Sequence, residues 1–409
     1  MKKQILILGL SLCFSAPSIA QNLEAYLKVA AENNAGLKAN YLRFEAALQQ
    51  VTQLSSLPDP NLSFGYFISP IETRVGPQQA RFSLNQMFPW FGTLKVQEKA
   101  AKLKAEAQYQ EFLDARNYLY FRVATGYYEL LKWEETKAIE EENLIILQTF
   151  KEITRLKFQN GQGAMVDVLR VDLMLKEAET NLSILNKQQI PLSSRFNQLL
   201  NRPTNEKVLI EDSLSLSVIP AAYRKDSLLH ANPQVEKLSL QIKASQTDEQ
   251  LAIKRGLPQL GLGLDYVMVG ERQDLLVPDN GKDAFMPMIS LSLPIFRKKH
   301  QAAQKEARLM QESYTLQKEE ISERLQFDYN QAWFEIDEQQ ELISLYQAQI
   351  KNSKQSLRLL HQAYANAGKD FEEVLRMQQQ LLQYQKLKAA ALAKYYQSWA
   401  KLNYITAKK

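Results

Sequence analysis

Few residues in this sequence have the type and spacing for covalent or metal chemistry. The histidines are His230, His300 and His361, and no two lie close enough to ligate one ion from a single helix face. The one cysteine, Cys13, falls in an amino-terminal segment with the features of an export signal. Its removal leaves no thiol for a disulfide, a nucleophile or a zinc site. Nothing resembles H-E-x-x-H, the nucleophile elbow G-x-S-x-G or a phosphate loop. Gly261 and Gly263 begin a dinucleotide-type fingerprint, but Tyr266 occupies its third glycine position, so the pair reads as small residues in a strand. Asn61-Leu62-Ser63 and Asn181-Leu182-Ser183 match the glycosylation pattern by chance. What remains for an enzyme is a set of scattered acids that only folding could pair. No catalytic residue, cofactor or metal ligand is expected.

The amino terminus carries Lys2 and Lys3, an apolar run from Ile5 to Phe14, and small residues at Ser18 and Ala20. That order predicts a signal peptide over residues 1–20, cleaved before Gln21. The apolar run is far short of the ~20 residues a membrane helix needs. Leu12 is too large for the position before a lipidated cysteine, so no lipid anchor is expected. Charge is almost balanced, 50 Lys and Arg against 45 Asp and Glu. No basic tract interleaves with aromatics, which argues against a nucleic-acid surface. Past the signal no apolar stretch is long enough for a membrane helix. A membrane crossing would therefore have to use strands, because only helices and closed barrels satisfy the backbone in lipid.

The elements that position the remaining residues come in two copies. Phe158-Gln-Asn-Gly-Gln-Gly-Ala-Met-Val-Asp-Val-Leu-Arg170 aligns without a gap to Tyr364-Ala-Asn-Ala-Gly-Lys-Asp-Phe-Glu-Glu-Val-Leu-Arg376. Leu57-Pro58 with Leu62, Phe64 and Tyr66 matches Leu257-Pro258 with Leu262, Leu264 and Tyr266. Pro89-Trp90-Phe91 matches Pro294-Ile295-Phe296. All three matches lie about 200 residues apart and in the same order, the signature of an internal duplication. The first repeat spans 21–203, a connector 204–224, and the second repeat 225–409.

Each repeat opens with a helix-like segment (Gly36 to Leu57; Gln234 to Leu257) that ends at a proline. A hairpin follows, 58–89 in the first repeat and 258–294 in the second. Leu62, Phe64, Tyr66 and Ile68 alternate with Asn61, Ser63 and Gly65. A loop at Ser69 to Pro77 leads to Phe82, Leu84 and Phe88, opposite Arg81, Ser83 and Asn85. The second hairpin alternates Leu260, Leu262, Leu264, Tyr266 and Met268 with Gln259, Gly261, Gly263 and Asp265. Past a loop at Gly270 to Asp283 it sets Phe285, Ile289, Leu291 and Leu293 against Met286, Met288, Ser290 and Ser292. The arms are roughly ten residues, the length of a tilted transmembrane strand. Trp90 and Tyr66 are placed near strand ends, where aromatic girdles collect. Four strands cannot enclose a pore, so several chains would have to share one barrel. Two solvent-facing hairpins on a soluble domain fit the alternation as well.

After each hairpin comes a long helical stretch, 90–160 and 295–366, free of proline once begun. Roughly seventy residues at ~1.5 Å rise would extend on the order of 100 Å. Return helices follow at 164–201 and 370–406. In the last, Phe371, Leu375, Gln378, Leu382, Gln385, Ala389, Leu392, Tyr396 and Trp399 recur at coiled-coil spacing. Around Phe121 to Leu131 the apolar stripe is broad enough to contact a neighbour on each side. An ordinary antiparallel coiled coil, as in a structural or adhesive spacer of the cell envelope, shares these stripes but needs no matched hairpins.

This combination resembles the TolC family of outer-membrane factors over essentially the whole chain past the signal. The resemblance rests on Leu57-Pro-Asp-Pro60, Met87-Phe-Pro-Trp-Phe-Gly92, the Phe158–Arg170 tip, Phe196-Asn-Gln-Leu-Leu-Asn-Arg-Pro203 and Ser290-Leu-Ser-Leu-Pro-Ile-Phe296. It implies a mainly α protein with a transmembrane β part: a homotrimer with a twelve-stranded outer-membrane barrel, four strands per subunit, and a long periplasmic helical tube. An equatorial girdle would take in Pro203 to Arg224 and the carboxyl-terminal end. It also implies a periplasmic adaptor and an inner-membrane pump, of RND type or from a type I secretion system, as partners, besides outer-membrane lipid. Pro-Asp-Pro and Phe-Pro-Trp-Phe-Gly are similar to the branch serving heavy-metal exporters, although this chain has no Cys or His cluster for metal. Met286 and Met288 read as packing or lipid contact.

The resemblance further implies that the two tips, Gly161 to Arg170 and Ala367 to Arg376, form the periplasmic mouth. Gly161, Gly163 and Gly368 would make the turns. Glu373 falls where family members carry a constricting acid, with Asp167 as its counterpart. Arg376 departs from the family's best-known members, which place a second acid there. A mixed-charge constriction is therefore expected, with Lys369, Arg170 and Arg376 available to Glu373, Asp370 or Asp167. Asp370-Phe-Glu-Glu373 also has capping-box spacing, and acids in a first helical turn complement the helix dipole, so a purely structural role stays open for these acids.

Overall fold

The computed structural model describes residues 23–210, 215–224, 226–367 and 370–408. The expected signal peptide, with Cys13, lies outside the described residues, as do Gly368 and Lys369. In chain order the elements are α1 (Leu23–Asn33), α2 (Ala35–Ser55), β1 (Asn61–Thr73), β2 (Gly76–Phe88), α3 (Thr93–Gln159), α4 (Met165–Leu199), α5 (Pro233–Arg255), β3 (Gln259–Val269), β4 (Ala284–Ser292), α6 (Lys298–Ala367) and α7 (Phe371–Ile405). Both repeats thus give helix, hairpin, very long helix and return helix, α3 with 67 residues and α6 with 70. The short helix α1 was not expected from the sequence.

The chain divides into two compact units. One contains Ala35–Tyr118 and Ala221–Asn330, and with them all four strands. The strands form one antiparallel sheet in the order β1-β2-β3-β4, so the two hairpins are joined edge to edge through β2 and β3. Helix α5 enters this unit with Asn232 as its cap, the side-chain Oδ1 accepting the Gln234 N–H at 2.9 Å, and Pro233 in the first turn. Proline there loses no helical hydrogen bond and arrives with the right φ.

The expected loop at 69–77 is not one. Strand β1 runs on to Thr73 and β2 begins at Gly76, leaving Arg74 and Val75 as a two-residue turn. Ser69 and Pro70 look like turn formers, but β1 is an edge strand, and its pairing to β2 shifts register between Tyr66 and Ile71. An edge strand accommodates proline at such a bulge because the missing N–H faces no partner. Gly76 is required for this turn: its φ is +128°, and a Cβ there would meet the Gly270 carbonyl oxygen at 1.8 Å. With β1 extended, Tyr66 sits in mid-strand rather than near the end where the sequence placed it.

The other unit contains Leu119–Pro220 and Gln331–Tyr404. Here α3, α4, α6 and α7 pack round a core of Leu147, Phe150, Val171, Leu175, Ala178, Phe371, Val374 and Leu375, with Leu357, Leu360 and Tyr364 against it. The spacing read in α7 is buried at Phe371, Leu375, Gln378, Ala389 and Leu392. The broad stripe of α3 is buried at Val123, Ala124, Tyr127, Leu130 and Leu131. Two parts of the connector are tied to this unit: Tyr395 Oη donates to the Ser217 carbonyl at 2.7 Å, and Tyr26 Oη to that of Leu209 at 2.9 Å.

Candidate functional site

Two places carry the residues that the sequence singled out, the sheet and the helix tips, one in each unit. In the sheet, the period of two gives each face a distinct chemistry. One face holds Leu62, Phe64, Tyr66, Phe82, Leu84, Leu260, Leu262, Leu264, Phe285, Ile289 and Leu291, all exposed. Exposure reaches 92% at Ile68 and 78% at Ile289. A soluble protein rarely leaves so large a contiguous apolar surface uncovered. Across this face Phe64, Phe82, Tyr266 and Phe285 are successive register partners, with ring centroids 4.9, 6.2 and 4.9 Å apart. Alternation alone could not reveal this row, because it depends on register. Trp90, Phe91, Ile295 and Phe296 are exposed just past β2 and before α6.

The opposite face is small and polar. Asn61, Ser63, Gly65, Arg81, Ser83, Asn85, Asp265, Gly263, Gly261, Ser290 and Ser292 share it. Gly261 and Gly263 are strand glycines, as expected, and the packing shows why. A Cβ on Gly261 would lie 2.2 Å from Ser290 Oγ and 2.7 Å from Met87 Sδ. One on Gly263 would lie 2.3 Å from Asn85 Oδ1. Met286 and Met288 also belong to this face, opposite Asp265 and Gly263, on the side of the sheet away from the apolar row. Strands β1 and β4 each pair on one side only, leaving two open edges.

The first helix tip closes with a complete Schellman motif. Gln162 N–H donates to the Lys157 carbonyl at 2.8 Å and Gly161 N–H to that of Phe158 at 3.0 Å, with Gly161 at φ +71°. A Cβ on Gly163 would approach Lys157 Cβ at 3.1 Å, so this glycine allows the chain to hug the helix it leaves. At the second tip Asp370 caps α7, its Oδ1 accepting the Glu372 N–H at 3.1 Å. Behind the turns, Lys157 Nζ stands 3.6 Å over the Tyr364 ring and donates to the Tyr364 carbonyl at 3.0 Å. The His361 ring lies 5.3 Å from that of Phe150, and burial lowers its proton affinity.

The structure brings Asp167, Arg170 and Asp370 together and adds an acid not singled out from the sequence, Glu372. Arg170 reaches Asp167 at 3.5 Å on its own helix and Glu372 at 2.9 Å on α7, so one guanidinium links the two tips. Burial raises the proton affinity of Asp167, against the lowering effect of Arg170, with Asp370 and Glu372 adding to the rise. Glu373 and Arg376 are exposed, and among the described residues no ion pair within the chain engages either. Higher up the same unit, Glu140 is buried to 1% exposure and paired with Lys386 and, at 3.4 Å, Asn181. Its Oε2 has no partner. Among the described residues no cluster of three or more His, Cys, Asp or Glu is arranged to hold a metal ion, and no helix is long and apolar enough to cross a membrane.

A sheet apolar on its exposed face and polar on the other, set in a chain of very long paired helices, defines the subunit of a transmembrane β-barrel channel. The chain belongs to the outer membrane efflux protein family, whose sequence profile matches residues 26–202 and 226–408. Among solved structures it is similar to VceC, an outer membrane protein of Vibrio cholerae, at TM-score 0.76 and 16% identity, over 94% of this chain and 96% of that one. It is similar to the open state of the MtrE outer membrane channel of Neisseria gonorrhoeae at TM-score 0.75 and 17% identity, over 94% and 89% of the two chains. CusC, a transmembrane channel, matches at TM-score 0.75 and 16% identity over 96% of each chain. No curated relative matches the chain significantly.

Proposed function

We propose that this chain is one subunit of a homotrimeric outer-membrane channel, the passive exit duct of a tripartite efflux pump or a type I secretion system. The observation that carries the reading is the four-stranded sheet with an exposed apolar face and two open edges. In lipid an unpaired strand edge costs several kcal/mol per group, so the edges must be closed by other copies. Three copies give twelve strands, enough for a conducting lumen lined by the polar face. The turn at Arg74–Val75 and the segment 270–283 then face outside the cell, and the helix tips form a periplasmic mouth presented to an adaptor protein. Cargo, whether metal, drug or protein, is chosen by the inner-membrane pump. An envelope spacer would need neither the matched hairpins nor the two-faced sheet.

At the mouth, Arg170 with Asp167 and Glu372 forms the latch of the resting state, and Glu373 and Arg376 stand free to meet neighbouring copies. Single-channel recording of the purified full-length protein in planar bilayers tests the reading. Stable ohmic steps from a species that runs as a trimer support it. Silence from a trimer, or a protein that stays monomeric in detergent, refutes it.

A further inference from the structure

Between Asn61 and Pro70 in β1, and throughout β2, β3 and β4, only two residues are charged, Arg81 and Asp265. They lie on the same, polar face: Arg81 is paired with Val267 and Ser83 with Asp265, which makes Arg81 and Asp265 diagonal neighbours across β2 and β3. Their side chains form an ion pair. The two partners are unequally placed. Asp265 is sealed, 0% exposed, while the Arg81 side chain remains 44% exposed. Asp265 Oδ1 has no hydrogen-bond partner, so Arg81 is what balances this carboxylate. Around the pair the face is neutral: Gly65, Ser63, Ser83, Asn85 and Gly263, with Met286 directly opposite Asp265.

A buried carboxylate is costly unless paired, and mere strand stability would be served as well by a neutral pair. An exposed guanidinium held rigidly from beneath has a use where solutes pass. We infer that Arg81 and Asp265 form the charge filter of the barrel lumen, Arg81 facing the passing solute and Asp265 both fixing it and cancelling most of its field. This rests on the channel reading above. In a threefold barrel the pair recurs three times at one height, the single charged station on the strands below the bulge of β1. Arg81 would engage the anionic groups of cargo, carboxylates or phosphates, transiently and without trapping them, because Asp265 competes for the same guanidinium.

The test is the ion permeability ratio of the trimeric channel in a potassium chloride gradient. Asp265→Asn removes a buried charge and leaves a half-exposed cation, so it is expected to fold. It should shift the chloride-to-potassium permeability ratio upward by about threefold or more, since three uncompensated cations at one height of the lumen concentrate anions there. The double variant Arg81→Gln with Asp265→Asn should reverse that shift and go past the parent, losing the parent's residual preference for chloride at similar conductance, and a double variant equal to the parent would show that the native pair filters nothing. An unchanged ratio in Asp265→Asn overturns the inference, as does a shift that the double variant fails to reverse. A parent trimer that never conducts removes the channel reading and this one with it. A parent that conducts while all variants share its selectivity removes this one alone.

Discussion

Replacing Arg170 with Met should open the mouth without unfolding the protein. The guanidinium is the link between α4 and α7 at the tips, 2.9 Å from Glu372 and 3.5 Å from Asp167. Side-chain exposure is 39% for Arg170, 52% for Glu372 and 14% for Asp167, so solvent screens the link to Glu372. An exposed pair of this kind contributes ~0–1 kcal/mol. The contact with the more sheltered Asp167 falls at the upper end of that range, which gives about 1 kcal/mol per subunit in all. If three latches release together, the sum of about 3 kcal/mol moves a closed-to-open equilibrium by roughly 150-fold. The same loss spread over a large cooperative unit shifts Tm by only about 2–4 °C. Met keeps an unbranched stem of similar length, and Arg170 is no part of the core round Val171, so the core is retained. Single-channel recording should show a larger mean conductance and longer open intervals, with the melting of the helical signal almost unchanged. Conductance equal to the parent's, together with a fall in Tm well beyond that range, would refute the latch and make Arg170 a structural tie.

Three further outcomes are expected. Folding raises the proton affinity of Asp167. This group therefore contributes stability that is fully present below the ordinary carboxylate range and is lost as pH rises through its raised value. The Tm difference between parent and Asp167→Asn should accordingly grow in the parent's favour as pH falls from ~6 to ~4, and a flat difference would contradict the burial described. Lys386→Met strands the buried carboxylate of Glu140 and should cost roughly 3–5 kcal/mol, with Glu140→Gln added to it recovering most of that loss, as read by denaturant unfolding. Gly76→Val should abolish assembly of the sheet because the backbone carbonyl of Gly270 occupies its Cβ space and its φ is +128°, whereas Gly65→Val, with nothing within 4 Å, should leave trimer yield intact on unheated gels.

What could be read from the sequence followed its periodicities. The duplication, the two-faced hairpins and the long helices all rest on patterns repeated over many residues, and the structure has them within a few residues of the expected bounds. The misreadings occur where a local signal depends on a distant neighbour. Ser69-Pro70 is a turn signal in isolation and a tolerated bulge once β1 is known to be an edge. Arg81 and Asp265 are 184 residues apart, and nothing local sets the register that joins them. Glu372 and Glu373 are adjacent in a first helical turn and point about 100° apart, so the approach of α4 alone decides which meets Arg170. Glu140 stands beside Glu141 and Glu142 and looks solvated, yet packing against α7 buries it. Capping by Asp370 was legible because it is wholly local.

The open edges of β1 and β4 also order events in the life of the chain. The helical unit has a core of its own and can mature within one copy, whereas the sheet cannot be completed by one polypeptide. Its last hydrogen bonds wait on encounters with other copies, so the rate of completion depends on concentration and the final folding step is also the assembly step. Until then each copy carries two sticky strand borders beside an uncovered aromatic row, the combination most prone to mispairing.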